Sequence, residues 1–160
     1  MISQEDIAFA KQKLRDGPGI FFVDEEPSLT YSAGISRWYD FPEIIITGAD
    51  EATAKKDILT IISYLKNGHR LRLDEVLEGI LSGPIAFKLV EDREYRRLAA
   101  VPYGVYRGKF KLAQCVFPDG NGAFEWTSTT ETANNFIHHK QDVVLTKDSL
   151  HFLKIVFRRW

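Results

Sequence analysis

Pro42-Glu43-Ile44-Ile45-Ile46-Thr47-Gly48, followed by the segment from Asp50 to Gly68, decides the reading of the fold. Pro42 introduces an apolar strand, Glu43 to Thr47, closed by Gly48. Asp50 is placed to cap a helix in which Ile58, Ile61, Ile62 and Leu65 fall at i, i+3, i+4 and i+7, and Asn67-Gly68 closes it. An apolar stripe of that kind covers about 100° of a helix and is buried against a sheet.

On the N-terminal side, Ser3 can cap a first helix, with Asp6 in its first turn favoured by the helix dipole. Ile7, Ala10, Lys11 and Leu14 share one of its faces, and Gly17-Pro18-Gly19 ends it. Ile20 to Val23 reads as a strand, Asp24-Glu25-Glu26-Pro27 as a turn, and Leu29 to Ile35 as a second strand forming a hairpin with the first. Arg37-Trp38-Tyr39-Asp40 reads as a loop.

On the C-terminal side, Asp74 to Leu81 reads as a short helix ended by Gly83-Pro84. Ile85, Phe87 and Leu89 alternate with Ala86, Lys88 and Val90, the period of a strand with one better-buried face. Asp92 opens a third helical pattern, with Tyr95, Leu98 and Ala99 on one side, and Pro102 and Gly104 are expected to stop it. Phe110 to Phe117 is an apolar strand, and Asp119-Gly120-Asn121-Gly122 supplies the residues of a hairpin-like turn. Further on, Thr130 to His139 reads as a helix, and Val143-Val144-Leu145 with Phe152 to Phe157 as a terminal pair of strands. Phe152 and Val156 lie four apart, so a helix over the last of these stays open.

Strands and helices mix without strict βαβ alternation. The expected fold is α+β: a single domain over residues 1–160 with a mixed or mostly antiparallel sheet packed by two to four helices. A chain of 160 residues buries roughly 70% of its unfolded surface, enough for a self-sufficient core. Its net charge of −1 provides no global field for nucleic acid or anionic membrane. Cys115 is the one cysteine, which excludes an internal disulfide and a cysteine-built zinc site. The polar, acidic start Met1-Ile2-Ser3-Gln4-Glu5-Asp6 lacks the basic and apolar regions of a signal peptide, and runs such as Ile44-Ile45-Ile46 are too short to span a bilayer. A cytoplasmic protein with no membrane contact is the expectation.

From about residue 17 to 126 the order of features resembles the bacterial family known as domain of unknown function 4262. The residues that carry this are Tyr31-Ser32-Ala33-Gly34-Ile35, Pro42-Glu43-Ile44-Ile45-Ile46-Thr47-Gly48, Gly68 after the helix, and Gln114-Cys115-Val116-Phe117-Pro118-Asp119 followed by Gly122, Phe124 and Trp126. Phe117 stands where the family usually has Trp, and Glu125 where it usually has Pro. Residues 127–160 lie outside the resemblance and are read as an extension packed on the family-like part. The resemblance implies a shared fold and brings no catalytic residue with it.

Glu43 is the candidate catalytic group. Placed between Pro42 and three isoleucines, it is expected to enter the sheet partly buried, where desolvation raises a carboxyl pKa toward general acid or base work. The competing reading is a carboxylate satisfied by loop N–H groups or paired with Arg37. Tyr31, Ser32 and Ser36 surround Gly34, which can admit a ligand close to the backbone or serve simply as a bulge or turn residue. Ser36 lies in no nucleophile-elbow pattern. His138 and His139 are neighbours, not an i, i+4 chelating pair, and His69 follows a helix end, so no metal or cofactor is expected. Cys115, in an apolar strand, reads as a buried inert thiol. Arg93, Arg96, Arg97, Arg107, Lys109 and Lys111 form the basic concentration, with Tyr95, Tyr103 and Tyr106 interleaved; Glu91, Asp92 and Glu94 among them favour a solvated face over a nucleic-acid site.

Two functions remain. The first is a small binding or regulatory module, not an enzyme, that meets a protein partner through Trp38 and Tyr39 of the Arg37-Trp38-Tyr39 segment or through the tail ending in Trp160. The alternative is an enzyme or small-molecule binder with a pocket near Tyr31, Gly34, Glu43 and Trp126; Ser36 also stands among its binding residues.

Overall fold

The computed structural model describes residues 2–118, Phe124 and the backbone of the strand Leu153–Phe157. Asp119-Gly120-Asn121-Gly122, Trp126, and the helix and strand expected over 130–145 lie outside the described residues.

Helix α1 (Gln4–Lys13) starts at Ser3, whose hydroxyl accepts from the Asp6 amide at 3.0 Å while the Asp6 carboxylate turns back to Ser3 in a capping box. Strands β1 (Gly19–Val23) and β2 (Leu29–Ala33) form the expected antiparallel hairpin. The one-turn helix α2 (Ile35–Tyr39) leads to β3 (Glu43–Thr47), which pairs antiparallel with β2. Helix α3 (Glu51–Lys66) begins at Asp50, whose carboxylate accepts from the Thr53 amide at 2.8 Å, and buries Ile58, Ile61, Ile62 and Leu65. Then come β4 (Ala86–Leu89), a 3-10 turn (Asp92–Glu94), α4 (Tyr95–Leu98), α5 (Ala100–Tyr106), β5 (Leu112–Val116) and β6 (Leu153–Phe157).

The sheet order is β4-β5-β3-β2-β1-β6. Only β3 and β5 run parallel; the other four pairings are antiparallel. Helices cover both faces, which is why β1, β2 and β5 are buried at every position instead of alternating. On one face Phe21, Tyr31 and Ile45 pack with Leu98 and Val101 of the α4–α5 pair and with Ala10 and Leu14 from α1. On the other, Ile20, Ile44 and Ile46 pack under the apolar stripe of α3. The fold is α+β, with five α-helices among the described residues, two of them (α2 and α4) single turns.

Three expectations are corrected. Arg37-Trp38-Tyr39 belongs to a helix rather than a loop, entered through Gly34 at φ 111° and left through Asp40 at φ 53°. Asp74 to Leu81 is not helical. Asp74 has φ 62° and its amide donates to the Phe87 carbonyl, and Leu77 pairs with Ile85 across an isolated bridge, so the segment follows β4 as a series of bends. The third helical pattern is not stopped by Pro102 and Gly104 but breaks earlier, at Ala99 (φ −135°, ψ 66°), and resumes as α5. Pro102 is the third residue of α5, where no intrahelical N–H bond is required. Gly104 serves packing: a Cβ there would stand 2.8 Å from Ile7 Cδ1 of α1. The strand read at the C-terminal end is present as β6, Leu153–Phe157, paired antiparallel with β1.

Candidate functional site

Between β2 and β3 the ladder ends at Tyr31 opposite Ile45, and the strands part around Ser32. The Ser32 hydroxyl fills the gap. It accepts from the Ile44 amide at 2.9 Å and donates to Glu43 Oε1 at 2.8 Å. The chain then turns through Gly34 into α2 and presents its amides to the same carboxylate. Gly34 N donates to Oε2 at 3.0 Å, Ile35 N to Oε1 at 3.1 Å and Ser36 N to Oε2 at 3.1 Å; the Ser36 hydroxyl adds a fifth bond to Oε2 at 2.7 Å. Glu43 is fully buried. Burial pushes its carboxyl pKa up, and the bonds from Ser36, Ser32 and Gly34 act in the opposite sense. Two oxygens that already take five donors leave no lone pair facing outward for a substrate.

Gly34 completes this nest. A Cβ on it would lie 2.8 Å from the Pro18 Cα, and its φ of 111° suits glycine alone. At Tyr106, burial first and then the charge of Glu43 push the hydroxyl pKa up, while Arg37 and Ser36 act in the opposite sense. Tyr31, by contrast, is engaged elsewhere: its ring stacks on Phe21 at 5.5 Å and its oxygen accepts from the Val101 amide at 3.4 Å. The structure thus gathers Ser32, Gly34, Ser36 and Glu43 and leaves Tyr31 out.

Trp38 and Tyr39 sit on α2 but part company. Trp38 stays 46% exposed, with its indole N–H donating to the Leu14 carbonyl at 3.2 Å. Tyr39 leans toward the α3 side, where partial burial raises its pKa. There the C-terminal ends of α2 and α3 enclose a cleft of about 300 Å³. One wall is Tyr39, Asp40 and Phe41; the other is Leu65, Gly68, His69, Arg70 and Leu71. Phe41 is fixed edge-on against Phe87 with ring centres 5.3 Å apart, and His69 stacks on Tyr64 at 4.3 Å. Tyr31, Gly34 and Glu43 do not line this cleft.

The chain belongs to the family described as Domain of unknown function (DUF4262). The family model matches residues 16–131, which takes in β1 to β5, the Glu43 nest and both walls of the cleft. No curated protein and no solved structure matches the chain. Strand β6 lies beyond the DUF4262 match.

Lys66, His69, Arg70 and Arg72 form a second basic cluster, alongside the Arg93–Lys111 region, and sequence reading passed over it. The signal was available: three cations and a histidine in seven residues, just after a helix end. In the Arg93–Lys111 region acids answer several of the cations. Arg93 pairs with Glu91, Arg97 with Glu94, and Lys111 stands 3.6 Å from Asp92. Cys115 is a free, buried thiol, and burial pushes its pKa up, away from thiolate chemistry. Among the described residues no group of three or more His, Cys, Asp or Glu is placed to hold a metal, and no helix is long and apolar enough to cross a membrane.

Proposed function

We propose that this protein is a bacterial, cytoplasmic binding module whose ligand-contacting surface is the cleft between the ends of α2 and α3. The observation that carries this reading is the cleft itself, a concave space of about 300 Å³ with polar side chains converging on an apolar floor. The saturation of Glu43 by the chain's own donors argues against the enzyme alternative, because the one fully buried carboxylate among the described residues is closed to substrate. A reducing compartment accords with the free thiol of Cys115.

Native mass spectrometry of freshly purified protein, compared with its denatured mass, tests this reading. The expected result is extra mass, from a small molecule or a partner, that denaturation removes and that Tyr39→Ala abolishes. Extra mass that survives Tyr39→Ala would place binding elsewhere and reject the assignment.

A further inference from the structure

Asp40 and Arg70 carry opposite charges and line the same cleft, yet they form no ion pair with each other. Among the described residues, neither side chain takes part in a hydrogen bond or an ion pair. Both residues are solvent-exposed, so each charge is open to a solute entering the cleft. Asp40 is fixed at φ 53° as the cap of α2, and Arg70 leaves α3 through Gly68 at φ 91°. Phe41, Leu65 and Leu71 line the same cleft and belong to the apolar core beneath it.

Resting on the cleft as the binding surface, we infer that its ligand is a small zwitterion with an apolar side chain, a free α-amino acid of the leucine type. The ammonium would pair with Asp40, the carboxylate with Arg70, which can hold it with two parallel N–H bonds, and the side chain would cover the apolar floor. A purely anionic ligand would meet Arg70 but be repelled by Asp40, and a purely cationic one would meet the reverse problem. Size agrees: about 300 Å³ is at the small end of small-molecule sites.

The experiment is an NMR titration of the full chain with L-leucine, N-acetyl-L-leucine and L-leucinamide. Leucine is expected to bind saturably and to shift the amides of Asp40 and Arg70, with roughly tenfold or greater loss of affinity for each blocked analogue. Asp40→Asn should erase the discrimination against the N-acetyl compound alone, and Arg70→Gln that against the amide alone. Two results overturn the inference: no saturable shift with leucine at about 10 mM, or equal binding of all three compounds. Either leaves the wider reading standing if Tyr39→Ala still removes the native extra mass, so the two failures are told apart.

Discussion

The two ends of α2 differ in what they leave unsatisfied. At its start, the amides of Gly34, Ile35 and Ser36 converge on Glu43, and every oxygen of that carboxylate is used. At its end, five residues on, Tyr39 and Asp40 face a cleft in which opposite charges have no ion-pair partner among the described residues. Both places hold a carboxylate next to a turn with positive φ. The difference lies in who supplies the partner: the chain itself at the nest, something from outside at the cleft. A buried ionisable group inside an enclosed donor set is a structural part, whereas unpaired charge at an accessible concavity marks a place for binding.

Removing Glu43 should break the nest with the largest effect in the molecule. Glu43→Ala leaves three buried amides and two hydroxyls without their acceptor, at 1–3 kcal/mol for each donor that stays unsatisfied. Partial repacking and water entry reduce that sum, and about 4 kcal/mol is the expected loss in chemical denaturation. Glu43→Gln keeps one acceptor oxygen and turns an NH2 toward donors, so about 2 kcal/mol is expected. The Gln variant also isolates the titration. Because burial raises the carboxyl pKa above 4.5, the folded chain holds this proton more tightly than the unfolded one. The sign follows: the contribution of Glu43 to stability falls as pH rises through the window above 4.5, and the difference between wild type and Glu43→Gln narrows there. A difference that widens with pH would mean that the five donors outweigh desolvation. Gly34→Ala attacks the same nest from its backbone, through the positive φ and the approach to Pro18, and about 2 kcal/mol is expected.

Much of this fold was readable in the sequence, and the misses have physical causes. Ile58, Ile61, Ile62 and Leu65 announce α3 because a four-turn helix repeats its period often enough to be seen, and the alternation at Ile85, Phe87 and Leu89 announces β4. Helix α2 has five residues, too few to display a 3.6 period, so Arg37-Trp38-Tyr39 looked like loop. The segment from Asp74 to Leu81 has helix-like spacing, but Leu77 finds Ile85 across a bridge, a tertiary pairing that outweighs local propensity. Glu43 advertises burial through Pro42 and the isoleucines. That Ser32 and Ser36 aim at it depends on the register of β2 against β3, which no local pattern records. The cleft was hidden more deeply, since Asp40 and Arg70 stand thirty positions apart and meet only through the way α3 packs on the sheet.

The smallest expected effect sharpens the comparison most. Asp40→Asn and Arg70→Gln remove charges that no described residue pairs with, and asparagine tolerates the left-handed backbone at position 40. Each variant should unfold within about 0.5 kcal/mol of wild type, the range of ordinary surface substitutions. Had Asp40 and Arg70 been silent structural partners, losing either would cost stability and the double variant would cost less than the sum of the two, as coupled neighbours do. If instead they wait for a ligand, the single and double variants stay flat in its absence. Saturating ligand then stabilises wild type by RT ln(1 + [L]/Kd) and stabilises the variants less. Denaturation measured with and without ligand therefore separates a nest that holds the fold from a cleft that the fold holds open.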